Sequence, residues 1–310
     1  MTRRILVTPR SVTAAGLEAV VELQPLRDAG FELVAGPAGT APVAADLAAL
    51  PRDIVGWLAG VERIGAAEMD LFPDLRVISR NGAGADAIDA DAAAARDIAV
   101  LTARGANARG VAELALAHML AGVRGTVASH DGLRRGEWVR SPGREFPDLT
   151  VGVVGYGAIG RLVAGFARAL DAHVVVSDPF ASPDRPDIEG VELDELFSRS
   201  DVVTLHAPPA TDGTPLLDRR RVALLPARAV IVNTARWSLV DPDAVLDALE
   251  SGAVSCYAVD AFAEEPPAPH PLLEHPSVLL SAHLGGYTDA SVRRAVEGAV
   301  AGLLSTLGSR

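Results

Sequence analysis

The stretch "TVGVVGYGAIGRLVAGFARAL", residues 150–170, constrains the fold more than any other part of the chain. A β-branched run meets three glycines, Gly155, Gly157 and Gly160, and then opens into residues of helical spacing. A strand that turns at once into a helix is the repeating unit of a parallel sheet, whose neighbouring strands need a long crossover between them. The same alternation runs through the chain, with candidate strands "RILVT", "FELVA", "DIVGWLA", "LRVIS", "IAVLT", "TVGVVG", "HVVVSD", "DVVTLHA", "AVIVNTA", "VSCYAVD" and "SVLLSAH". These are many strands for one open sheet, and 310 residues exceed what one core of roughly 100 to 200 residues needs. The expectation is an α/β protein of two domains, with the surface segment "RRGEWVRSPGREFPDLT" leading to a fresh start at Thr150.

The glycine spacing G-x-G-x-x-G in this context is a dinucleotide fingerprint. Gly155 allows the tight turn, Gly157 lets a pyrophosphate approach the backbone, and Gly160 lets the helix pack closely on the strand. The helix N-terminus at Ala158 and Ile159 then offers unpaired N–H groups to the phosphates. After the next strand stands Asp178, where a carboxylate is expected to accept both ribose hydroxyl protons and to repel a 2'-phosphate. NAD rather than NADP is the cofactor expected.

Three later strand ends carry isolated polar groups: Arg236 after "AVIVNTA", Glu265 after "YAVDAFAE" and His283 after "SVLLSA". Ligands of open α/β sheets collect at the carboxyl ends of strands. Arginine offers a planar fork that pairs with a carboxylate. Histidine moves a proton near neutral pH, and a neighbouring glutamate favours its charged form and fixes its tautomer. Beside a nicotinamide ring, this set describes hydride transfer to or from C2 of a 2-hydroxy acid.

At these residues the sequence resembles the D-2-hydroxyacid dehydrogenases, a family that includes phosphoglycerate, glycerate and D-lactate dehydrogenases and glyoxylate/hydroxypyruvate reductases. The likeness runs from "SRNGAGADAID" and "GANARGVAELAL" through "VGVVGYGAIGR", "LHAPPATDGT" and "VNTAR" to "DAFAEEP" and "SAHLGG". It implies two Rossmann-like, doubly wound parallel-sheet domains: a flavodoxin-like substrate domain from residues 1–98 and 285–310, and an NAD-binding Rossmann domain from 99–284. It places catalysis on Arg236, Glu265 (rather than the adjacent Glu264) and His283. Asp260 corresponds to the aspartate that holds the nicotinamide carboxamide, while His206, Ala207 and Pro208 line the adenosine side. Thr234, Ala235 and Gly285 fall within motifs expected to touch the cofactor. The N–H groups of the loop Asn81, Gly82, Ala83 and Gly84, running on to Asp86, are expected to hold the substrate carboxylate together with Arg236 and His283. The activity implied is NAD-dependent oxidoreduction of a D-2-hydroxy acid, in a homodimer formed through the long apolar helix that begins near Asn107.

The chain departs from the family in two places. Trp237 stands where relatives commonly have glycine, so the backbone there is either ordinary or rebuilt, and the indole either lines the substrate pocket or packs beneath the next helix. Pro147 and Asp148 replace a glycine and a lysine, read as a loop variant without catalytic meaning. Glu265, where formate dehydrogenases of this fold have glutamine, argues against that branch, and with one terminal helix at its end the sequence is expected to lack the regulatory domain of the longer phosphoglycerate dehydrogenases. Arg10, Ser11 and Arg80 stand in the substrate lobe and slightly favour a phosphoglycerate-like substrate over glyoxylate or hydroxypyruvate. The rival from another class is a non-catalytic, NAD(H)-sensing scaffold of the corepressor type. A methyltransferase shares the glycine-rich loop but has no use for the Arg, Glu, His set.

Composition bounds the partners. With 40 acidic against 28 basic side chains, a net charge of −12 repels phosphate backbones and anionic lipids, so neither nucleic acid nor membrane is expected. The N-terminal apolar run "ILV" is too short for a signal peptide, no apolar stretch reaches membrane length, and the single Cys256 makes no intrachain disulfide; a cytoplasmic protein with no metal site is expected. The helix "AELALAHMLA" has few polar positions, which implies burial on both sides, and His118 within it reads as a core histidine holding one hydrogen bond.

Overall fold

The computed structural model describes residues 3–308. The chain divides into two compact units: one runs to Asn107 and resumes at Asp289, and the other is Ala108–Thr288.

The first unit is built on a sheet of β1 (Arg3–Val7), β2 (Phe31–Ala35), β3 (Ile54–Ala59), β4 (Val77–Arg80) and β5 (Ala99–Thr102). Its order is β2-β1-β3-β4-β5, all parallel, the flavodoxin-like arrangement expected. The terminal helix Asp289–Leu307 lays Val296, Ala299, Val300 and Leu303 against Ile5, Val7, Leu58 and Val77. The expected break at 98/99 is corrected by β5, which hydrogen-bonds to β4 and belongs to this sheet. The later return to this unit also moves, from 285 to the start of the terminal helix at Asp289.

The second unit holds β6 (Thr150–Val154), β7 (His173–Ser177), β8 (Glu189–Gly190), β9 (Val202–Leu205), β10 (Ala229–Asn233), β11 (Val254–Val259) and β12 (Val278–Leu280). Their order is β12-β11-β10-β9-β6-β7-β8, again parallel throughout. The order reverses at β6, whose neighbours are β7 on one side and β9 on the other; this is the switch point where doubly wound sheets open a crevice. Central strands buried on both faces need near-continuous apolar runs, and Val230, Ile231 and Val232 are fully buried. One face packs Ala112, Met119, Val163 and Ala167; the other packs Leu196, Phe197, Val245 and Leu249. Every strand expected from sequence forms, and the two-residue β8 is added at the edge, where its two pairs to β7 suffice.

Helix Ala108–Arg124 packs on helix Ala158–Ala169 and on β10 and β11. The expectation of burial on both sides is met only in part. Arg109, Glu113, Ala117 and Leu120 form an exposed stripe at helical spacing, with Arg109 and Glu113 joined as an ion pair. No single helix among the described residues is long and apolar enough to cross a membrane.

Candidate active site

The polar groups singled out in the sequence stand at the carboxyl edge of the second sheet. At β6, Gly155 adopts φ +89°, and a Cβ there would lie 2.7 Å from the carbonyl oxygen of His206. Gly160 is tighter: its Cβ would lie 1.9 Å from Gly155 O, so only glycine lets the helix close on the turn. Gly157 faces open space, with nothing within 4 Å of a Cβ, and no side chain caps the helix it begins. An uncapped helix start facing open space is a cradle for an anion. The residues present therefore fit the pyrophosphate of a dinucleotide.

Asp178, beyond β7, grips this loop. Its Oδ2 accepts from Tyr156 N at 2.7 Å, and its Oδ1 accepts from Phe180 N at 2.8 Å and Ala181 N at 3.1 Å. A carboxylate offers about four acceptor sites, so roughly one remains. Three of them are taken by the protein's own backbone before any ribose hydroxyl binds.

Beyond β9, a hydrogen bond joins His206 Nε2 to Thr204 Oγ1 at 2.8 Å. The ring's Nδ1 is buried without a partner, and burial pushes the imidazole down to about 3, so it stays neutral. Ala207 is partly buried and Pro208 exposed. Beyond β10, Thr234 keeps a buried Oγ1 without a partner. Two orphaned polar atoms beyond the ends of adjacent strands are the mark of a site built for a polar ligand.

Asn233 was not anticipated. Its Nδ2 donates to Arg236 O at 2.9 Å and its Oδ1 accepts from Ala235 N at 3.2 Å, so it latches the turn that carries Arg236. A buried amide ending the run "AVIV" was its signal in the sequence. Arg236 is extended (φ −144°, ψ 141°), and its Nη1 donates to Ala235 O at 2.9 Å. Trp237 begins a single 3-10 turn, Trp237–Leu239, so the backbone is ordinary and needs no glycine. The indole packs with its ring centroid 6.3 Å from Phe262 and 5.8 Å from His270, at the border of the core, which favours the packing reading.

The loops beyond β11 and β12 interlock. His283 Nδ1–H donates to Glu265 Oε1 at 2.6 Å, with both side chains about half exposed (50% and 43%). Phe262 N donates to the same oxygen at 3.3 Å. His283 stands at φ +51°, a conformation rare for a residue with a side chain. Asp260, 1% exposed, ties down the residues around it: Oδ1 accepts from Ser281 Oγ at 2.6 Å and Leu284 N at 2.7 Å, and Oδ2 from Gly285 N at 2.8 Å. Three of its acceptor sites serve the protein, and the N–H of Gly285 is spent on it.

In the first unit, Asn81 N donates to Ala59 O and Gly82 N to Arg80 O, both at 2.8 Å. The expectation that the whole loop offers its N–H groups is corrected, since these two are already bonded. Arg80 is partly buried, donates to Asn81 O, and interacts electrostatically with Glu62 and Asp86; burial lowers its pKa. Arg10 is exposed at the start of the short helix Arg10–Ala15, with Ser11 next to it. Pro147 and Asp148 lie in a 3-10 turn anchored by buried Phe146.

Residues 116–285 match the family model described as the D-isomer specific 2-hydroxyacid dehydrogenase, NAD binding domain. The chain belongs to that family. Among its relatives, D-3-phosphoglycerate dehydrogenase of Mycobacterium leprae is 38% identical over 254 residues, covering 80% of this chain and 48% of the relative. Hydroxypyruvate reductase of Thermotoga maritima is 34% identical over 250 residues, covering 79% of this chain and 82% of the relative. The chain thus spans about half the length of the phosphoglycerate dehydrogenases it matches. A solved structure of a Thermus thermophilus protein superposes with a TM-score of 0.86 at 33% identity, covering 99% of this chain and 97% of that one. The NAD-binding domain matched by the family model carries the uncapped helix and the Glu265–His283 pair.

Proposed function

We propose that this protein is an NAD-dependent oxidoreductase that interconverts a D-2-hydroxy acid and its 2-oxo acid. The observation that carries the reading is the 2.6 Å bond from His283 to Glu265, held at the carboxyl edge of the NAD-binding sheet. With Nδ1–H committed to a carboxylate, the other ring nitrogen, Nε2, is the one that exchanges a proton with substrate. It donates that proton to the C2 oxygen during reduction and removes it during oxidation. Arg236 supplies the fork for the substrate carboxylate and polarises the 2-oxo group. The nicotinamide, when bound, supplies or takes the hydride.

For the cofactor, the roles run along the strand edge. Gly155, Gly157, Ala158, Ile159 and Gly160 hold the pyrophosphate, Asp178 takes one ribose hydroxyl, and His206, Ala207 and Pro208 flank the adenosine half. Thr234, Ala235 and the remaining acceptor site of Asp260 serve the nicotinamide half. A carboxylate at 178 disfavours the 2'-phosphate of NADP.

A phosphoglycerate-like substrate rests on Arg10 and on the phosphoglycerate dehydrogenases among the relatives. A second reading, an unphosphorylated acid such as hydroxypyruvate or glyoxylate, is favoured by Arg80, whose guanidinium is occupied by the backbone and faces Glu62 and Asp86. A homodimer through the cofactor unit would cover its exposed apolar side chains Leu120, Leu133, Trp138 and Val139.

The test is NADH and NADPH oxidation over a panel of phosphorylated and plain 2-oxo acids, with the sedimentation behaviour of the same protein measured in parallel. Turnover with NADH on at least one acid, at least tenfold above NADPH, is expected. Tight NADH binding with no turnover on any acid would replace the enzyme by the NAD(H)-sensing scaffold.

A further inference from the structure

His118 lies in an otherwise apolar run of helix Ala108–Arg124 and is 5% exposed. Leucine would fill such a position without burying a polar ring. Its Nε2 lies 2.9 Å from Ser281 Oγ, and Ser281 Oγ lies 2.6 Å from Asp260 Oδ1. A hydroxyl has one proton, and the carboxylate can only accept, so Ser281 donates to Asp260. His118 is therefore the donor, through Nε2–H, to Ser281. Burial lowers the pKa of this imidazole, in keeping with a neutral ring that carries one N–H, although the charge of Asp260 opposes that shift.

The chain of bonds brackets His283. Ser281 precedes it by two residues, while Leu284 and Gly285, whose N–H groups bind the same Asp260, follow it directly. Between them His283 keeps φ +51°, a strained conformation that persists only when its surroundings over-determine it. Asp260 in turn is tied to the Arg236 turn by its own N–H, which donates to Asn233 O at 3.1 Å.

We propose that His118 is a positioning residue for the reaction: through Ser281 and Asp260 it holds the 281–285 loop in the conformation that keeps His283 on Glu265. The role rests on the reading of His283 as the proton-transfer group. His118 acts from the core side of the loop and reaches the cofactor side only through Asp260.

The experiment uses the full chain and the variants His118→Leu, His118→Gln and Ser281→Ala. Amide hydrogen exchange is measured without cofactor, and kcat and KM with the best 2-oxo acid. In His118→Leu, exchange at Leu284 and Gly285 is expected to quicken about tenfold, while β10 is unaltered. Its kcat is expected to fall about fivefold, with the KM for NADH within about twofold of the parent. His118→Gln, whose amide N–H can reach the serine, recovers most of both losses. Adding His118→Leu to Ser281→Ala costs nothing further, because the two act in one chain. Unaltered exchange at the two amides, a loosened loop with full kcat, or a glutamine variant no better than leucine would each overturn the proposal. A parent protein silent on every 2-oxo acid would instead remove the reading of His283, and the exchange measurements would then decide the bond chain on their own.

Discussion

The loops beyond β9 and β12 both end an apolar strand in a histidine, and the two imidazoles are held in opposite ways. His206 shares its Nε2 with a threonine on its own strand and buries its other nitrogen. His283 is half exposed, stands at positive φ, and gives its Nδ1–H to a carboxylate. A ring with a buried nitrogen and no charged partner is held neutral by desolvation. A ring anchored on a carboxylate with half its surface open can cycle a proton. The same residue type at the same edge of one sheet is thus held in two different environments.

The largest effect expected from this difference is in turnover. His283→Ala should lower kcat by on the order of 10²-fold or more, whereas His206→Ala should leave kcat within about tenfold and act mainly on the KM for NADH. Steady-state kinetics on the two variants decides it. Equal losses in kcat would erase the distinction.

A second effect lies in the pH dependence of stability. The pKa of His206 is about 3 when folded against about 6.5 when unfolded, so between these values the unfolded chain binds the extra proton. Its contribution is complete above about pH 6.5 and is lost as pH falls toward 3, at about 1.4 kcal/mol per pH unit. At pH 5 the expected loss is about 2 kcal/mol. Burial shifts His118 the same way, so it adds to the slope in the same direction. His206→Leu should flatten the slope of urea-derived stability between pH 7 and 5; an unaltered slope would mean that the ring is solvated and titrates normally.

Much of this contrast was legible in the sequence. Glycines at 155, 157 and 160 after a valine run fixed the local turn, because no other residue meets the 1.9 Å approach of Gly160 to Gly155 O. The positions of Arg236, Glu265 and His283 at one edge of the sheet were legible because polar residues follow strands that are otherwise apolar. What stayed hidden was the number of hydrogen bonds each carboxylate already spends. Asp178 and Asp260 each accept three from the protein, a count set by loop conformations that spacing does not encode. The domain break was misplaced for a similar reason. "IAVLT" reads as a strand in either unit, and only its pairing with β4 assigns it.

The smallest expected effect isolates the closed histidine. Thr204 is fully buried, and among the described residues its hydroxyl is the hydrogen-bond partner of the His206 ring. Thr204→Val keeps the β-branched shape that β9 requires and removes that partner, leaving both ring nitrogens without one. A buried polar group stripped of its partner costs about 1–3 kcal/mol, and the low end applies here because Nδ1 already tolerates burial unpaired. Thermal unfolding of the variant without cofactor should therefore show a loss near 1 kcal/mol. Excess NADH should restore part of it if the cofactor supplies a partner to the ring, since a ligand that binds only the folded chain stabilises by mass action and more so where it satisfies an orphaned atom. The comparison to make is the NADH-induced stabilisation of the parent and of Thr204→Val. A larger gain in the variant would mean that the closed histidine is a wall of the cofactor site, and an equal gain would make it part of the core alone.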